Sequence, residues 1–147
     1  MSLIIAAVAL STVGRTHNDA QASIQNVSMA AARPAETEAS SVAHKWLELL
    51  DDGQWNASWQ AAGTMFKAQL TPAQWATTIQ SVRQPLGQAS SRSFQSVIQT
   101  KTLPGAPAGD YQVFQFGTRF ANKPDTIETV VLAREQAGWR VNGYFIR

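Results

Sequence analysis

Apolar residues between positions 35 and 52 recur at the spacing of an amphipathic helix. Val42, Trp46 and the pair Leu49-Leu50 fall at i, i+4, i+7 and i+8, which places them on one helical face. Gly53 follows two aspartates and suits a left-handed cap at the end of such a helix. We therefore predict a first helix over residues 35–52.

Two further helical segments follow. A short helix is predicted from Trp55 to a stop at Gly63, with its tryptophans on one face. The third helix has a clear start, because Thr71, Pro72 and Gln74 form the pattern of a capping box with proline at the first helical position. We predict that it ends at Gln84-Pro85, since the residue before a proline is driven out of the α region.

After Gly87 the period of the apolar positions changes from about 3.6 to about 2, which indicates strands. Four strands are predicted, over residues 93–102, 111–121, 126–135 and 139–147. The last two links are short enough for hairpins, so neighbouring strands should be antiparallel. Three helices followed by this meander predict one α+β domain over residues 35–147, with the helices packed on one face of a curved four-stranded antiparallel sheet.

The N-terminal residues have the pattern of a leader followed by a tether. Residues 3–10 are an apolar run, too short for the roughly 20 residues of a membrane span but sufficient for the hydrophobic region of a signal peptide. Ala20-Gln21-Ala22 matches a cleavage site, although no Lys or Arg precedes the run, which a longer leader would explain. We predict a signal peptide over residues 1–22, a flexible tether over 23–34 and a periplasmic or secreted location.

Composition and charge exclude several classes of function. The chain has no cysteine, which removes disulfides, thiolate catalysis and cysteine-bound zinc. Its two histidines are His17, in the leader, and His44, which leaves the domain without a second histidine for a metal site. The net charge of +2 is spread along the chain, whereas nucleic-acid binding needs a clustered basic surface. We expect no cofactor, no metal, no nucleic-acid partner and no membrane span.

Arg83 is the polar residue whose position most demands a partner. It lies four residues after Ile79, near the edge of an apolar stripe, where burying a guanidinium requires a carboxylate or a bound anion. Glu128 alternates with Val130 and Leu132 in the third predicted strand and should therefore face the helices. We predict an Arg83–Glu128 ion pair between helix and sheet, and an anionic ligand at Arg83 is the alternative.

Trp59 and Tyr144 join Arg83 and Glu128 as candidate ligand-binding residues. Tryptophan in this domain is expected to pack in the core, and a stacking surface for a sugar or a ring-shaped ligand is the alternative. We predict no catalytic residue. Asp51 and Asp52 are adjacent at a helix end, where neighbouring side chains diverge, so we expect them to cap the helix or contact solvent.

Short motifs along the domain carry a resemblance to a known family. They are Trp46-Leu47, the run from Asp51 to Trp55, Ser58-Trp59, Phe66-Lys67, Arg83-Gln84-Pro85-Leu86-Gly87, Leu103-Pro104-Gly105, Tyr111, Glu128-Thr129-Val130 and Gly138-Trp139-Arg140-Val141-Asn142-Gly143-Tyr144. Over residues 42–147 this set resembles the bacterial domain-of-unknown-function family 4019. The resemblance implies export, because members typically carry signal peptides, and implies no activity. More distantly, the order of elements is similar to the cystatin-like or nuclear-transport-factor-like fold, which carries both enzymes and binding domains.

These observations favour a non-catalytic binding or interaction module of the cell envelope. Its partner would be an envelope protein, a small ligand or a second copy joined through the sheet. The alternatives are a small acid–base enzyme with a cone-shaped cavity and a structural dimerising unit. An unpaired carboxylate beside a tyrosine in a cavity would favour the enzyme, a cavity filled with aromatic side chains would argue against it, and an exposed apolar patch on the outer sheet face would favour a partner.

Overall fold

Helices come before the main strands in the fold. The computed structural model describes residues 3–5 and 37–147. In chain order the elements are β1 (Leu3–Ile5), α1 (Glu38–Asp51), α2 (Trp55–Ala61), α3 (Thr64–Gln69), α4 (Pro72–Leu86), β2 (Ala89–Thr100), β3 (Tyr111–Phe120), β4 (Lys123–Glu135) and β5 (Gly138–Ile146). All strand pairs are antiparallel, in the order β1-β5-β4-β3-β2. The predicted α+β class with a four-stranded antiparallel meander is confirmed.

The strand β1 lies inside the segment predicted as a signal peptide and pairs with β5. The cleavage motif Ala20-Gln21-Ala22 and the predicted tether lie outside the described residues. The signal peptide therefore stays a prediction. Within the described part of the chain, none of the helices combines the length and the apolar character that a membrane span requires.

There are four helices in the described residues where three were predicted. The additional helix, α3, begins after Gly63 and is fixed by contacts from the sheet. Glu135 accepts hydrogen bonds from the backbone N–H of Thr64 (3.0 Å) and from its hydroxyl (2.9 Å), and Asn142 Oδ1 accepts one from the N–H of Phe66 (3.2 Å). Partners more than 70 residues away leave no local periodicity, which is why the sequence pattern missed this helix.

The start of α4 is as predicted. Thr71 Oγ1 accepts a hydrogen bond from the N–H of Gln74 (3.2 Å), and the side chain of Gln74 accepts one from the N–H of Thr71 (3.0 Å), which completes the capping box. The predicted end before Pro85 is wrong, because the helix continues to Leu86. Pro85 lies in the last turn, where it removes few helical hydrogen bonds, and Asn122 donates to the carbonyls of Pro85 (3.0 Å) and Leu86 (2.9 Å).

The Thr71→Ala variant is expected to lower the free energy of unfolding by about 0.5–2 kcal/mol, because the N–H of Gln74 loses its acceptor. In urea denaturation the midpoint should fall while the slope stays unchanged. Thr77→Ala, on the exposed side of the same helix, is the matched control and should not lower the midpoint, since alanine is the better helix former. Equal midpoints for Thr71→Ala and the unaltered chain would show that the cap contributes nothing.

The strands are longer at their starts than the pattern predicted. β2 begins at Ala89 rather than at residue 93, and β4 begins at Lys123 rather than at residue 126. The β3–β4 link is therefore the two-residue turn Ala121-Asn122. The polar starts of both strands lack apolar alternation, and this alternation was the signal used to place them.

The space between the helices and the sheet is filled by aromatic side chains. Five of the largest are no more than 2% exposed: Trp46, Phe66, Trp75, Phe116 and Tyr144. Ser58 is fully buried and accepts hydrogen bonds from two indole N–H groups. Its carbonyl accepts one from Trp46 Nε1 (2.9 Å), and its hydroxyl accepts one from Trp75 Nε1 (2.8 Å). The helix-facing side of the sheet is thus a packed core.

A smaller apolar cluster lies on the outer face of the sheet. Its buried members are Leu103, Tyr111, Val113, Val131 and Ala133. Leu103 belongs to the loop between β2 and β3, and the hydroxyl of Tyr111 donates to the carbonyl of Pro107 in the same loop (2.5 Å). That loop therefore covers part of the outer face.

Candidate functional site

Four charged side chains meet on the helix side of the sheet, and we call them the charge cluster: Asp51, Arg83, Arg92 and Glu128. Each comes from a different element. Asp51 is the last residue of α1, Arg83 lies in the last turn of α4, Arg92 lies on β2, and Glu128 lies on β4. The cluster joins two helices to two strands and contains two positive and two negative groups.

Local structure accounts for the direction of each side chain. Asp51 lies four residues after the buried Leu47 and so shares its helical face. Arg83 lies four residues after the buried Ile79 and so shares its helical face. Arg92 precedes Phe94 by two residues and therefore points to the same side of β2, towards the helices.

Glu128 is the most buried member of the charge cluster, with an exposure of 0%. Its Oε1 accepts hydrogen bonds from Arg92 Nε (2.7 Å) and from the hydroxyl of Thr118 (2.5 Å). Its Oε2 accepts a hydrogen bond from the hydroxyl of Tyr144, which is 1% exposed. A buried carboxylate is tolerated only with such compensation, and here both oxygens have it.

Asp51 lies at the outer end of the cluster, where its side chain is 23% exposed. Arg92 binds it with two nitrogens, Nη1 to Oδ2 (2.8 Å) and Nη2 to Oδ1 (2.9 Å), and Arg83 Nη2 donates to Oδ1 (2.5 Å). Paired contacts of this kind are the strong, directional form of an arginine–carboxylate interaction. The expectation that Asp51 caps the helix or contacts solvent is wrong, because its carboxylate is held by both arginines.

Arg83 is 6% exposed and contacts Glu128 less closely than predicted. Its Nη1 lies 3.7 Å from Glu128 Oε2, an ion pair without a hydrogen bond, and Nη1 has no hydrogen-bond partner among the described residues. Its guanidinium also lies over the ring of Phe120, 4.8 Å from the centroid. The predicted contact exists, but the hydrogen bond of Arg83 goes to Asp51.

Three of the four candidate ligand-binding residues come together, and one does not. Arg83 and Glu128 belong to the charge cluster, and the hydroxyl of Tyr144 donates a hydrogen bond to Glu128. Trp59 lies on α2, where its Nε1 donates to the carbonyl of Leu70 (2.7 Å) and Lys67 Nζ lies 5.3 Å from its ring centroid. Trp59 is half-buried against the core and contributes nothing to the cluster. Sequence reasoning missed Arg92, whose one signal was its alternation with Phe94.

The contacts of the cluster shift the pKa values of Asp51, Arg92 and the adjacent Tyr144. Burial would raise the pKa of Asp51, but hydrogen bonds from Arg92 and Arg83 outweigh it and leave the pKa below its usual value. Burial would lower the pKa of Arg92, yet the hydrogen bond with Asp51 and the charge of Glu128 raise it above its usual value. Burial and the adjacent Glu128 raise the pKa of Tyr144 well above its usual value, so it remains a phenol. The result is a charge-balanced group with a proton donor at its buried end.

The depressed pKa of Asp51 predicts a loss of stability in acid. Because the unfolded chain binds this proton more readily than the folded chain does, the stabilisation is complete above the unfolded pKa of about 4. This stabilisation disappears as the pH falls below the unfolded pKa and through the lower pKa that Asp51 has in the folded chain. The Asp51→Asn variant should therefore be much less stable than the unaltered chain at pH 7, with a smaller difference near pH 3, as measured by urea denaturation. Asp52→Asn, at an exposed neighbour, is the control, and an equal loss for Asp51→Asn at both pH values would contradict the prediction.

An open cleft of about 550 Å³ lies beside the cluster. Asp51 and Arg83 line it together with Asp52, Trp55 and Gln84. An anion in this cleft would have to compete with Asp51 for the guanidinium groups, and Asp52 adds a further negative charge to the wall. The geometry therefore favours an internal ion pair over the alternative of an anionic ligand at Arg83.

His44 lies at the edge of the helical stripe. Its Nδ1 is 3.0 Å from the carbonyl oxygen of Ser40, and its ring meets that of Phe116 edge-on, with centroids 5.2 Å apart. Over residues 37–147, no group of three or more His, Asp and Glu side chains is arranged to hold a metal ion. His44 is thus a packing residue of the partly buried helix face.

Comparison with known proteins identifies a family. The profile of the family described as "Protein of unknown function (DUF4019)" matches residues 42–144. No curated protein matched the chain, and no solved structure did, so the likeness to the cystatin-like or nuclear-transport-factor-like fold stays a hypothesis. The match covers most of the chain and all the motifs between Trp46 and Tyr144 that carried the resemblance. The chain therefore belongs to domain-of-unknown-function family 4019.

Proposed function

We propose that this chain is a non-catalytic binding or interaction module of the cell envelope. The observation that carries the proposal is the closed interior. Aromatic side chains fill the space between helices and sheet, and the carboxylate of Glu128 within it is fully buried. A module with such an interior makes its contacts through its outer surface.

The interior contacts argue against the small acid–base enzyme. A general acid or base must come within hydrogen-bond distance of a substrate, directly or through one water. Both oxygens of Glu128 already accept hydrogen bonds, and Tyr144 beside it donates to Glu128. The expected sign of the enzyme was an unpaired carboxylate beside a tyrosine in a cavity, whereas Glu128 is paired with arginines and buried in the core.

Apolar exposure on the outside supports an interaction function. The large apolar side chains exposed in the described part of the chain are Val97 (38%) and Ile98 (61%), both on β2. β2 is an edge strand of the sheet, and an exposed edge of this kind can serve as a contact surface for another strand. A second copy of the chain joined through the sheet is the partner we favour, ahead of another envelope protein or a small ligand.

The envelope location rests on the leader pattern alone, namely the apolar residues 3–10 and Ala20-Gln21-Ala22. N-terminal sequencing of the protein purified from its native host should begin at Ser23 or later. Fractionation should place it outside the cytoplasm. An intact Met1 on cytoplasmic protein would contradict the export proposal.

A crosslinking scan in intact cells of the native host tests the interaction function. A photoreactive amino acid replaces, one at a time, exposed residues on different elements: Lys45 on α1, Gln80 on α4, Ile98 on β2 and Arg119 on β3. We expect a discrete crosslinked product of defined mass from at least one position and none from the others. If every position gives only the uncrosslinked chain, the interaction function is wrong.

A further inference from the structure

We infer that the free edge of β2 is the surface through which two copies of this chain pair, strand against strand and antiparallel. The inference rests on the proposed interaction function, since it names the partner and the contact. It follows from the position of β2 in the sheet, the exposure of two of its residues and its lack of charge.

β2 is an edge strand with an unpaired side. It pairs with β3 on one side and has no strand on the other among the residues described. Its 12 residues present a row of backbone donors and acceptors. Such an edge is a ready surface for another strand unless the sequence protects it.

The two exposed apolar residues point to opposite faces of this edge. Val97 lies opposite Phe114, on the helix side, and Ile98 lies opposite Val113, on the outer side. A partner docked on one face of the sheet would cover only one of them. A strand added alongside β2 brings side chains to both faces and covers both.

The regular part of this edge, residues 96–100, lacks the side chains that usually protect an edge strand against pairing. Residues 93–100 contain no charge, proline or glycine, whereas isolated edges commonly carry lysine or proline. The nearest charges are engaged within the chain, Arg92 with Asp51 and Glu128, and Lys101 with Asp110. A second β2 can therefore approach without placing like charges opposite each other.

The register of the pair follows from the irregularity near the middle of β2. The β2–β3 register is interrupted at Gln95, between Phe94 and Ser96, which leaves residues 96–100 as the regular part of the edge. Two antiparallel copies of that segment, related by a two-fold axis, centre on Ile98. Each Ile98 then lies opposite its equivalent on the outer face, and Val97 lies opposite Gln99. One surface serves both copies, as a two-fold interface requires.

Sedimentation velocity of the purified full chain over a concentration series is the first test. We expect a species of twice the 16.0 kDa chain mass. Ile98→Lys should weaken this dimer by about tenfold or more, because it sets two like charges opposite each other and removes the apolar contact. Gln80→Lys adds the same charge on the exposed side of α4 and should leave the dimer unchanged. Circular dichroism checks that both variants fold.

Single-cysteine variants test the register, because the natural chain has no cysteine. Ile98→Cys should form an intermolecular disulfide rapidly under mild oxidation, since opposite residues in antiparallel strands have the Cα separation that a disulfide needs. Gln80→Cys should not. An unaltered chain that stays monomeric at every concentration would overturn the inference. If the chain forms a dimer that Ile98→Lys does not weaken and Ile98→Cys does not crosslink, the β2 edge is not the contact between the copies.

The crosslinking scan separates this inference from the function on which it rests. A product from Ile98 with the mass of two chains, containing both of two differently tagged copies, supports pairing of β2. A product that contains a different protein would overturn the inference that the partner is a second copy of this chain, while the proposed interaction function would remain supported. No product at any scanned position overturns both.

Discussion

Replacing Glu128 by glutamine lowers the free energy of unfolding by about 3–5 kcal/mol, the usual loss when one member of a buried ion pair is removed. Glutamine has nearly the same shape and keeps one oxygen as an acceptor, so the change tests charge rather than packing. Without the carboxylate, the guanidinium of Arg92 keeps only Asp51 as a charged partner. Arg83 loses the negative charge of Glu128 Oε2, which lies 3.7 Å from its Nη1. Urea denaturation at pH 7 measures the loss.

Glu48→Gln is the control for this variant. Glu48 is exposed on α1 and undergoes the same chemical change without leaving a buried charge. We expect an effect within about 0.5 kcal/mol for it. Similar small losses in both variants would mean that the charge of Glu128 is not needed for folding.

The Gly63→Ala variant should lower the free energy of unfolding by about 3 kcal/mol, from overpacking and from broken buried hydrogen bonds. Gly63 has an ordinary φ of −83°, so the expected loss comes from contact and not from backbone strain. A Cβ there would lie closer than 3.0 Å to the side chains of Asn142 and Glu135. Asn142 is 1% exposed and binds the N–H of Phe66, so its displacement also disturbs α3.

Gly109→Ala is the matched control for Gly63→Ala. A Cβ at Gly109 would meet only the ring of Tyr111, at 3.7 Å or more, which is ordinary contact. Chemical denaturation should show little change for this variant. Equal losses at both glycines would show that the close approach at Gly63 is not a constraint on the fold.

The sequence predicted the parts of the fold that local patterns encode. The stripe of α1, the capping box of α4 and the alternation in β3 each lie within one element and depend on neighbours in the chain. The same reasoning placed Glu128 on the helix side of its strand, because alternation with Val130 fixes the face. These features gave the α+β class and one of the charged contacts.

The missed features all depend on partners distant in the chain. Helix α3 is fixed by Glu135 and Asn142, and the end of α4 past Pro85 is capped by Asn122 from the β3–β4 turn. The sequence pattern predicts a helix cap or solvent contact for Asp51, because the arginines that bind it lie 32 and 41 residues away and leave no local signal. A residue's role in a charge cluster depends on tertiary contacts, and the spacing of residues along one helix or strand does not reveal those contacts.

Arg92 shows how one boundary error removed a site residue. The strand predicted over residues 93–102 leaves Arg92 just outside it. A strand that begins at Ala89 turns Arg92 towards the helices, beside Phe94. Alternation with Phe94 was the one signal for Arg92, because Ser90, Ser91 and Ser93 around it show no apolar pattern.

A double-mutant cycle on Arg92 and Glu128 tests most directly the claim that the charge cluster is a closed structural unit. Arg92→Met, Glu128→Gln and the double variant are compared by urea denaturation at pH 7. We expect each single change to be destabilising and the double change to lower the free energy of unfolding by less than the sum, with a coupling of about 0.5–3 kcal/mol. Strictly additive losses would contradict a closed structural unit. So would an Arg92→Met variant as stable as the natural chain or more stable, since the arginine would then be kept at a cost to stability, as expected of a ligand site.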